Sequence, residues 1–268
     1  MLNFRLLTIA TFGAFLTLGI LRFLSCDYHW PSGFFCSYSF FIQAILIALY
    51  LGVSVIMAFN IRSQFHHRAL CSATTREKVC ALTFDDGPHE IHTPEVFTEL
   101  NRYGVPAVFF CIGHLCEKNP DILREMHRQG HIIGNHSWSH SGWIDFLPSR
   151  LIRSELIRTS SLIRTVTGLE PRLFRPPFGV INPMVSRALK GLDWDVIGWN
   201  IRSLDTITRT PARITDKILR NIRPGSVILL HDHLPQTAAV VKELIPALRQ
   251  KGYELVSLPA LLNIHPYA

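Results

Sequence analysis

From Val79 to Ser257 the sequence alternates short apolar, β-prone runs with longer amphipathic stretches, and this alternation constrains the fold more than any other feature. Seven runs read as strands: Val79–Phe84, Ala107–Ile112, His131–Asn135, Arg172–Arg175, Asp195–Asn200, Ser226–Leu230 and Tyr253–Ser257. Helical patterns lie between them at Pro94–Arg102, Pro120–Gln129, Ser149–Val166 and Thr237–Gln250. Repetition of this kind builds a parallel sheet with helices outside it, so the expectation is an α/β barrel or doubly wound sheet of about seven parallel strands. In a barrel every strand opens its carboxyl end onto one face, where residues distant in sequence converge.

The unusual polar residues fall at those ends. The run VCALTFDDGP breaks off at Asp85 and Asp86. Neighbouring side chains at a strand end point to opposite sides, so a cation can take one carboxylate and leave the other as a base. Read alone, Asp-Asp-Gly is an ordinary turn. His136 follows the third run, Arg175 ends the fourth, Asp205 lies just past the fifth and His231 ends the sixth. In HSWSH, one helical turn would bring His136 and His140 to the same side. With Asp86 they make a two-histidine, one-carboxylate set that leaves metal positions open for water and substrate. An isolated HxxxH says little in a chain with 13 histidines. RPPFG is a rigid turn whose Arg175 can clamp a carboxylate. SVILLHD ends a buried run on His231. The His231-Asp232 pair also suggests a metal-dependent phosphohydrolase, but such dyads belong to helical domains and this one ends a strand.

TFDDGP, HSWSH, RPPFG, WNIRSLDT and ILLHD, in that order, resemble the ordered motifs of the polysaccharide deacetylase family, carbohydrate esterase family 4, also called NodB-homology domains. The resemblance covers roughly residues 79–262. It implies a distorted (β/α) barrel of about seven parallel strands that uses one divalent metal ion to remove an N-linked acyl group from an amino sugar. The ion implied is Zn2+ first, with Co2+, Mn2+, Ni2+ or Fe2+ as alternatives. By matching positions, Asp85 would be the general base and Asp86, His136 and His140 the metal ligands. Arg175 would hold Asp85, Asp205 would orient the histidine and His231 would be the general acid. Phe178 and Leu229 would bound the substrate subsite. Phe178 stands where the motif often has tyrosine, in a role attributed to a backbone N–H. Thr206 replaces a frequent tryptophan and Arg202 a frequent aspartate, which puts the shape of the acceptor-sugar subsite in question but not the chemistry. The chemistry itself is coherent: amide hydrolysis needs an activated water, a stabilised oxyanion and a proton for the departing amine.

The amino-terminal residues are of another kind. Leu6–Leu21 is nearly all apolar, and Phe40–Phe59 is close to the ~20 residues that cross a bilayer. The first run ends near Arg22 without the small-residue pattern of a cleaved signal peptide. The expected organisation is a two-helix membrane anchor in residues 1–60, with spans near 6–25 and 40–59, a linker over 61–78 and the deacetylase domain over 79–268. Arg5 precedes the first span, and Arg62, Arg68, Arg76 and Lys78 follow the second. Positive charge beside a span is retained in the cytoplasm, so the sequence predicts an integral protein of the cell (inner) membrane with its catalytic domain cytoplasmic. Cys71, Cys80, Cys111 and Cys116 lack disulfide-framework spacing, whereas Cys26 and Cys36 can pair across the external loop. The net charge of +7 suits a domain held against anionic lipid. It also suits nucleic acid, for which there is no recognition motif.

The expected partners are therefore the bilayer and an amino-sugar glycan, with no nucleic acid. A cytoplasmic active face makes a polyprenyl-phosphate amino sugar the preferred substrate, deacetylated or deformylated. The alternatives are an outward-facing deacetylase of cell-wall or chitin-type polysaccharide, and a catalytically silent carbohydrate-binding module. The last is disfavoured because every residue the chemistry requires is present.

Overall fold

The structure is a computed structural model that describes residues 4–27 and 34–268. Pairing of Cys26 with Cys36 falls on side chains outside the described residues. Two helices come first, α1 (Phe4–Asp27) and α2 (Phe34–Ala58), packed together through contacts such as Thr8 Oγ1 to Tyr50 Oη at 3.1 Å. Both contain 21-residue windows long and apolar enough to cross a membrane, Phe4–Leu24 and Tyr38–Ala58. At 1.5 Å per residue such a window is about 31 Å long, the thickness of a bilayer's hydrocarbon core. Their outward faces carry exposed apolar side chains, among them Ile9, Phe12, Ile45 and Leu49.

The remaining elements follow in order: β1 (Val79–Asp85), α3 (His92–Arg102), β2 (Ala107–Cys111), α4 (Gly113–Lys118), α5 (Pro120–Arg128), β3 (Ile132–Asn135), α6 (Ser149–Thr167) and β4 (Leu173–Phe174). Then come α7 (Pro183–Ala188), β5 (Asp195–Val196), β6 (Ile201–Arg202), α8 (Pro211–Asn221), β7 (Ser226–His231), α9 (Thr237–Gln250), β8 (Glu254–Leu255) and α10 (Leu258–Leu262). Local chemistry marks several ends. The Asn182 side chain accepts from the N–H groups of Met184 and Val185 at the start of α7, and Gly168, at φ +79°, stops α6.

Seven parallel strands run in the order β5-β4-β3-β2-β1-β7-β6, and β8 pairs with the start of β1. The seven-strand (β/α) barrel expected from the sequence is thus present, and it is open between β5 and β6. The run expected as one strand over Asp195–Asn200 leaves the ladder after Val196, because Arg175 claims its carbonyls. Arg175 Nε donates to Ile197 O at 3.1 Å and Nη2 to Gly198 O at 3.0 Å. Residues 69–73 fill the open side. Leu70 pairs with Ile197, Ser72 with Ser226, and the Ala73 N–H donates to Gly225 O. The segment expected as a linker is therefore packed on the barrel, with Ile61, Phe65 and Ala69 buried.

Alternation along the strands sorts the core. On β1, Cys80, Leu82 and Phe84 face the outer helices, where they join Val240, Leu244 and Leu248 of α9. Ala81 belongs to an inner cluster with Val108, Phe110, Val227 and Leu258, which closes the barrel floor. The same inward column on β1 climbs from Ala81 through Thr83 to Asp85, and on β7 from Val227 through Leu229 to His231. Register pairs these columns, Ala81 with Val227, Thr83 with Leu229 and Asp85 with His231. The floor is apolar and the carboxyl-end rim is ionisable.

Candidate active site

Asp85, Asp86, His136, His140, Phe178, Leu229 and His231 all line one pocket of about 220 Å³ at that rim. Arg175 and Asp205 are buried beneath it with no exposed surface. Every site residue expected from the sequence is thus brought to one place.

Arg175 sits under Asp85. Its Nη1 donates to Asp85 Oδ1 at 2.7 Å and to Thr83 Oγ1 at 2.9 Å, while the guanidinium lies 4.2 Å above the Phe110 ring. A fully buried, paired arginine is costly to leave alone, so each partner fixes the other. Asp85 Oδ2 lies 3.8 Å from His136 Nε2, and Asp86, at backbone φ +74°, turns toward the same imidazole rather than to the opposite side that strand alternation predicts. Its Oδ1 lies 3.4 Å from His136 Nε2 and 3.2 Å from His140 Nε2, without hydrogen-bond geometry to either. Burial alone raises the Asp86 carboxyl, but His136, His140 and His231 outweigh that and hold it well below the usual carboxylate range.

His136 is fixed as a ligand would be. Its Nδ1 lies 2.7 Å from the carbonyl oxygen of Arg175, which can only accept, so Nδ1 carries the proton and the Nε2 lone pair faces Asp86. The helical turn expected over His136–His140 is replaced by a loop, with Ser137 at φ +65° and His140 at +47°. Side chains compete for its backbone. Asn135 Oδ1 accepts from the Ser137 N–H, Ser137 Oγ from the His140 N–H, and Glu155 from both the N–H and Oγ of Ser139. The imidazoles still meet, with ring centroids 4.9 Å apart.

His231 faces the set from β7. Asp205 Oδ1 lies 2.8 Å from its Nδ1, and Asp205 Oδ2 accepts its backbone N–H at 2.8 Å. Burial lowers the His231 imidazole, but Asp205, then Asp85 and Asp86, overcome this and push it up to about 9. Its Nε2 is 4.0 Å from Asp86 Oδ2. Asp205 itself follows β6, a further short strand just past the expected run, while the expected fifth strand is shortened to Asp195–Val196.

Two features escaped the sequence reading. His233, whose Nδ1 is 3.8 Å from Asp86 Oδ2, stands close to the set, and its only signal was the triplet His231-Asp232-His233. Five of the seven non-glycine residues with positive φ among the described residues lie at this rim: Asp86, Ser137, His140, Phe178 and Leu204. Such conformations cost about 1–3 kcal/mol each and collect at functional sites, but no residue type announces them.

The donor set fits a divalent ion. One oxygen of Asp86 and one nitrogen each of His136 and His140 lie within 4.8 Å of one another, and the buried Asp86 Oδ1 has no hydrogen-bond donor. A buried carboxylate oxygen among two imidazoles is what a cation completes.

A seven-strand parallel barrel with a two-histidine, one-aspartate set at its open rim defines a class of metal-dependent hydrolase folds, and comparison with known proteins narrows it. The profile of the polysaccharide deacetylase family matches residues 72–197. A peptidoglycan-N-acetylglucosamine deacetylase of Bacillus cereus is 33% identical over 187 residues, 68% of this chain and 68% of its own length. A chitooligosaccharide deacetylase of Bradyrhizobium is 32% identical, over 67% of this chain and 89% of that protein. Among solved structures, the peptidoglycan N-acetylglucosamine deacetylase Bc1960 superposes with a TM-score of 0.70 at 30% identity, covering 74% of this chain and 94% of the other. The chain belongs to the polysaccharide deacetylase family.

Proposed function

We propose that the chain is a metal-dependent N-deacetylase of an amino sugar, held at a membrane by α1 and α2, and that its substrate is a lipid-linked precursor. One observation carries the chemistry. Asp85 and His231, directly paired across β1 and β7, flank the Asp86, His136 and His140 set, and each is fixed from beneath by its own buried partner.

Asp86, His136 and His140 would hold a divalent ion, zinc first among the candidates, which would supply Lewis acidity towards the amide carbonyl and the attacking water. Asp85, held in place by Arg175, takes a proton from that water. His231, protonated through Asp205, gives a proton to the nitrogen as the C–N bond breaks. Water adds to the carbonyl carbon, and the products are a carboxylic acid and a free amino sugar. Phe178 and Leu229 bound the space for the acyl group and sugar, while Arg202 and Thr206 line its outer side.

The organisation we infer is an anchor in residues 1–60, a connecting segment over 61–78 and the catalytic domain over 79–268. Arg5, Arg62, Arg68, Arg76 and Lys78 support a cytoplasmic placement of that domain. The lipid-linked reading is supported by how close the pocket lies to α2. The Ile181 N–H, three residues beyond Phe178, donates to the carbonyl oxygen of Ala58 at 2.9 Å, where the apolar window of α2 ends. A second reading, an outward-facing deacetylase of cell-wall or chitin-type glycan, is favoured by the names of the relatives. Mass spectrometry of lipid-linked glycans and of cell-wall glycan, in cells with and without the protein, tests both. Acylated lipid-linked sugar accumulating in cells without it is the expected result. A change confined to the cell-wall glycan rejects the lipid-linked reading.

A further inference from the structure

Beside the catalytic pocket lies a second cavity of about 420 Å³, within the range of small-molecule sites. One wall is the end of α2, formed by Val55, Ala58 and Phe59, and the opposite wall is formed by Phe146, Phe178 and Val180. The lining is predominantly apolar. Asp145 is the titratable group in it, and burial pushes its carboxyl up to about 6. Phe178 is common to both cavities, and its ring centroid is 4.7 Å from that of His140, so a single side chain separates the groove from the metal-ligand set.

The mouth of the groove is apolar where a soluble enzyme's rim is polar. Phe59 is 70% exposed and Phe146 78%, and Trp143 packs on Phe146 with centroids 5.8 Å apart. Phe59 directly follows the apolar span of α2, and Trp143, beside Phe146 on the barrel rim, is of the residue type that favours the bilayer interface. An apolar chain rising from the bilayer along α2 meets this groove before it meets the catalytic pocket. A continuous apolar chain can bury its whole surface in such a groove, whereas a glycan polymer can lay only the C–H faces of its rings on it and would leave its hydroxyls unpaired deeper in.

We propose that the groove between α2 and Phe178 holds the apolar chain of a lipid-linked amino sugar, placing the N-acyl group of that sugar on the metal-ligand side of Phe178. This rests on reading the catalytic pocket as an amino-sugar N-deacetylase site. It adds a binding site for the chain, and with it a reason for substrate choice.

The test uses the full chain, zinc-loaded, in lipid nanodiscs, with two substrates differing only in the chain: N-acetylglucosamine 1-phosphate esterified to farnesol or to methanol. Wild-type protein should prefer the farnesyl ester by about ten-fold or more in kcat/KM. Val55→Trp, which fills the groove from an exposed helix position, should lower that ratio by about ten-fold with metal content unchanged. Phe146→Asp, at the exposed rim, should do the same and guards against a folding defect in the first variant. Partitioning into the bilayer would also favour the farnesyl ester, but that advantage survives both substitutions. Equal hydrolysis of the two esters, or a preference kept in both variants, overturns the groove and leaves the deacetylase reading standing. Hydrolysis of neither ester overturns the deacetylase reading, and a farnesyl phosphate with a photoreactive group on its chain then decides the groove separately. Adducts at Val55, Phe59 or Phe146 support the groove. Adducts confined to outward residues such as Ile9 and Ile47 overturn it.

Discussion

Asp205 acts on the reaction we propose without reaching the pocket. It accepts from the imidazole and from the backbone N–H of His231, so it sets both the orientation and the charge of the ring. A histidine raised to about 9 keeps its proton at neutral pH and loses it as the pH rises through that value. The general acid is therefore competent on the acid side of about 9, and activity should fall on the alkaline side. With a cation on Asp86, Asp205 is the main group still holding that proton on the ring. Asp205→Asn should thus move the alkaline limb of the kcat/KM profile to lower pH, with zinc content unchanged. A limb that stays in place would remove Asp205 from this role. In the reaction we propose, the neighbours Asp85 and Asp86 have separable duties. Asp85→Asn should lower turnover by roughly a hundred-fold or more and retain the metal, whereas His136→Ala should lose most of the metal by elemental analysis. Near-normal turnover in Asp85→Asn rules it out as the base.

At the scale of elements, the placing of the site comes from strand periodicity, and this was legible in the sequence. The β-prone runs ending on Asp85 and His231 could be read directly, because two-residue alternation fixes which side chains face inward. Less legible was anything decided by side chains hydrogen-bonding to backbone. HSWSH has a helical spacing, yet Asn135, Ser137 and Glu155 bend it into a loop. The early end of the fifth strand after Val196 likewise depends on a guanidinium that is distant in sequence. The docking of residues 69–73 gave no periodic signal. It has a detectable weak point at Gly225, where φ is +77° and an added Cβ would stand 2.2 Å from the Ala73 carbonyl oxygen. Gly225→Ala should therefore destabilise the protein by about 1–3 kcal/mol from backbone conformation alone, read as a lower midpoint of thermal unfolding. An unchanged midpoint would mean that this contact is dispensable.

For the molecule as a whole, if α1 and α2 anchor it as we propose, the side of the membrane on which the barrel stands decides which substrates it meets. Cys71 is a poor reporter of this. Its Sγ packs where Gly198 and Ile61 meet, and burial pushes its thiol up. Lys251, exposed after α9, is a better position. In Lys251→Cys with Cys26 and Cys36 replaced by serine, a thiol reagent that cannot cross membranes should fail to label intact cells and should label them once permeabilised. Labelling without permeabilisation turns the preference to the outward-facing reading. Either way, the packing of residues 61–73 governs reach. A catalytic head on a slack leash searches a hemisphere whose radius is the length of its tether. Here the leash is wound onto the barrel, and Ile181 is fastened to the last turn of α2, so an anchored enzyme of this build works at one altitude above the bilayer. Its selectivity then includes a coordinate that no pocket residue encodes, the height at which a substrate carries its amide, and amides held farther out pass beyond its range.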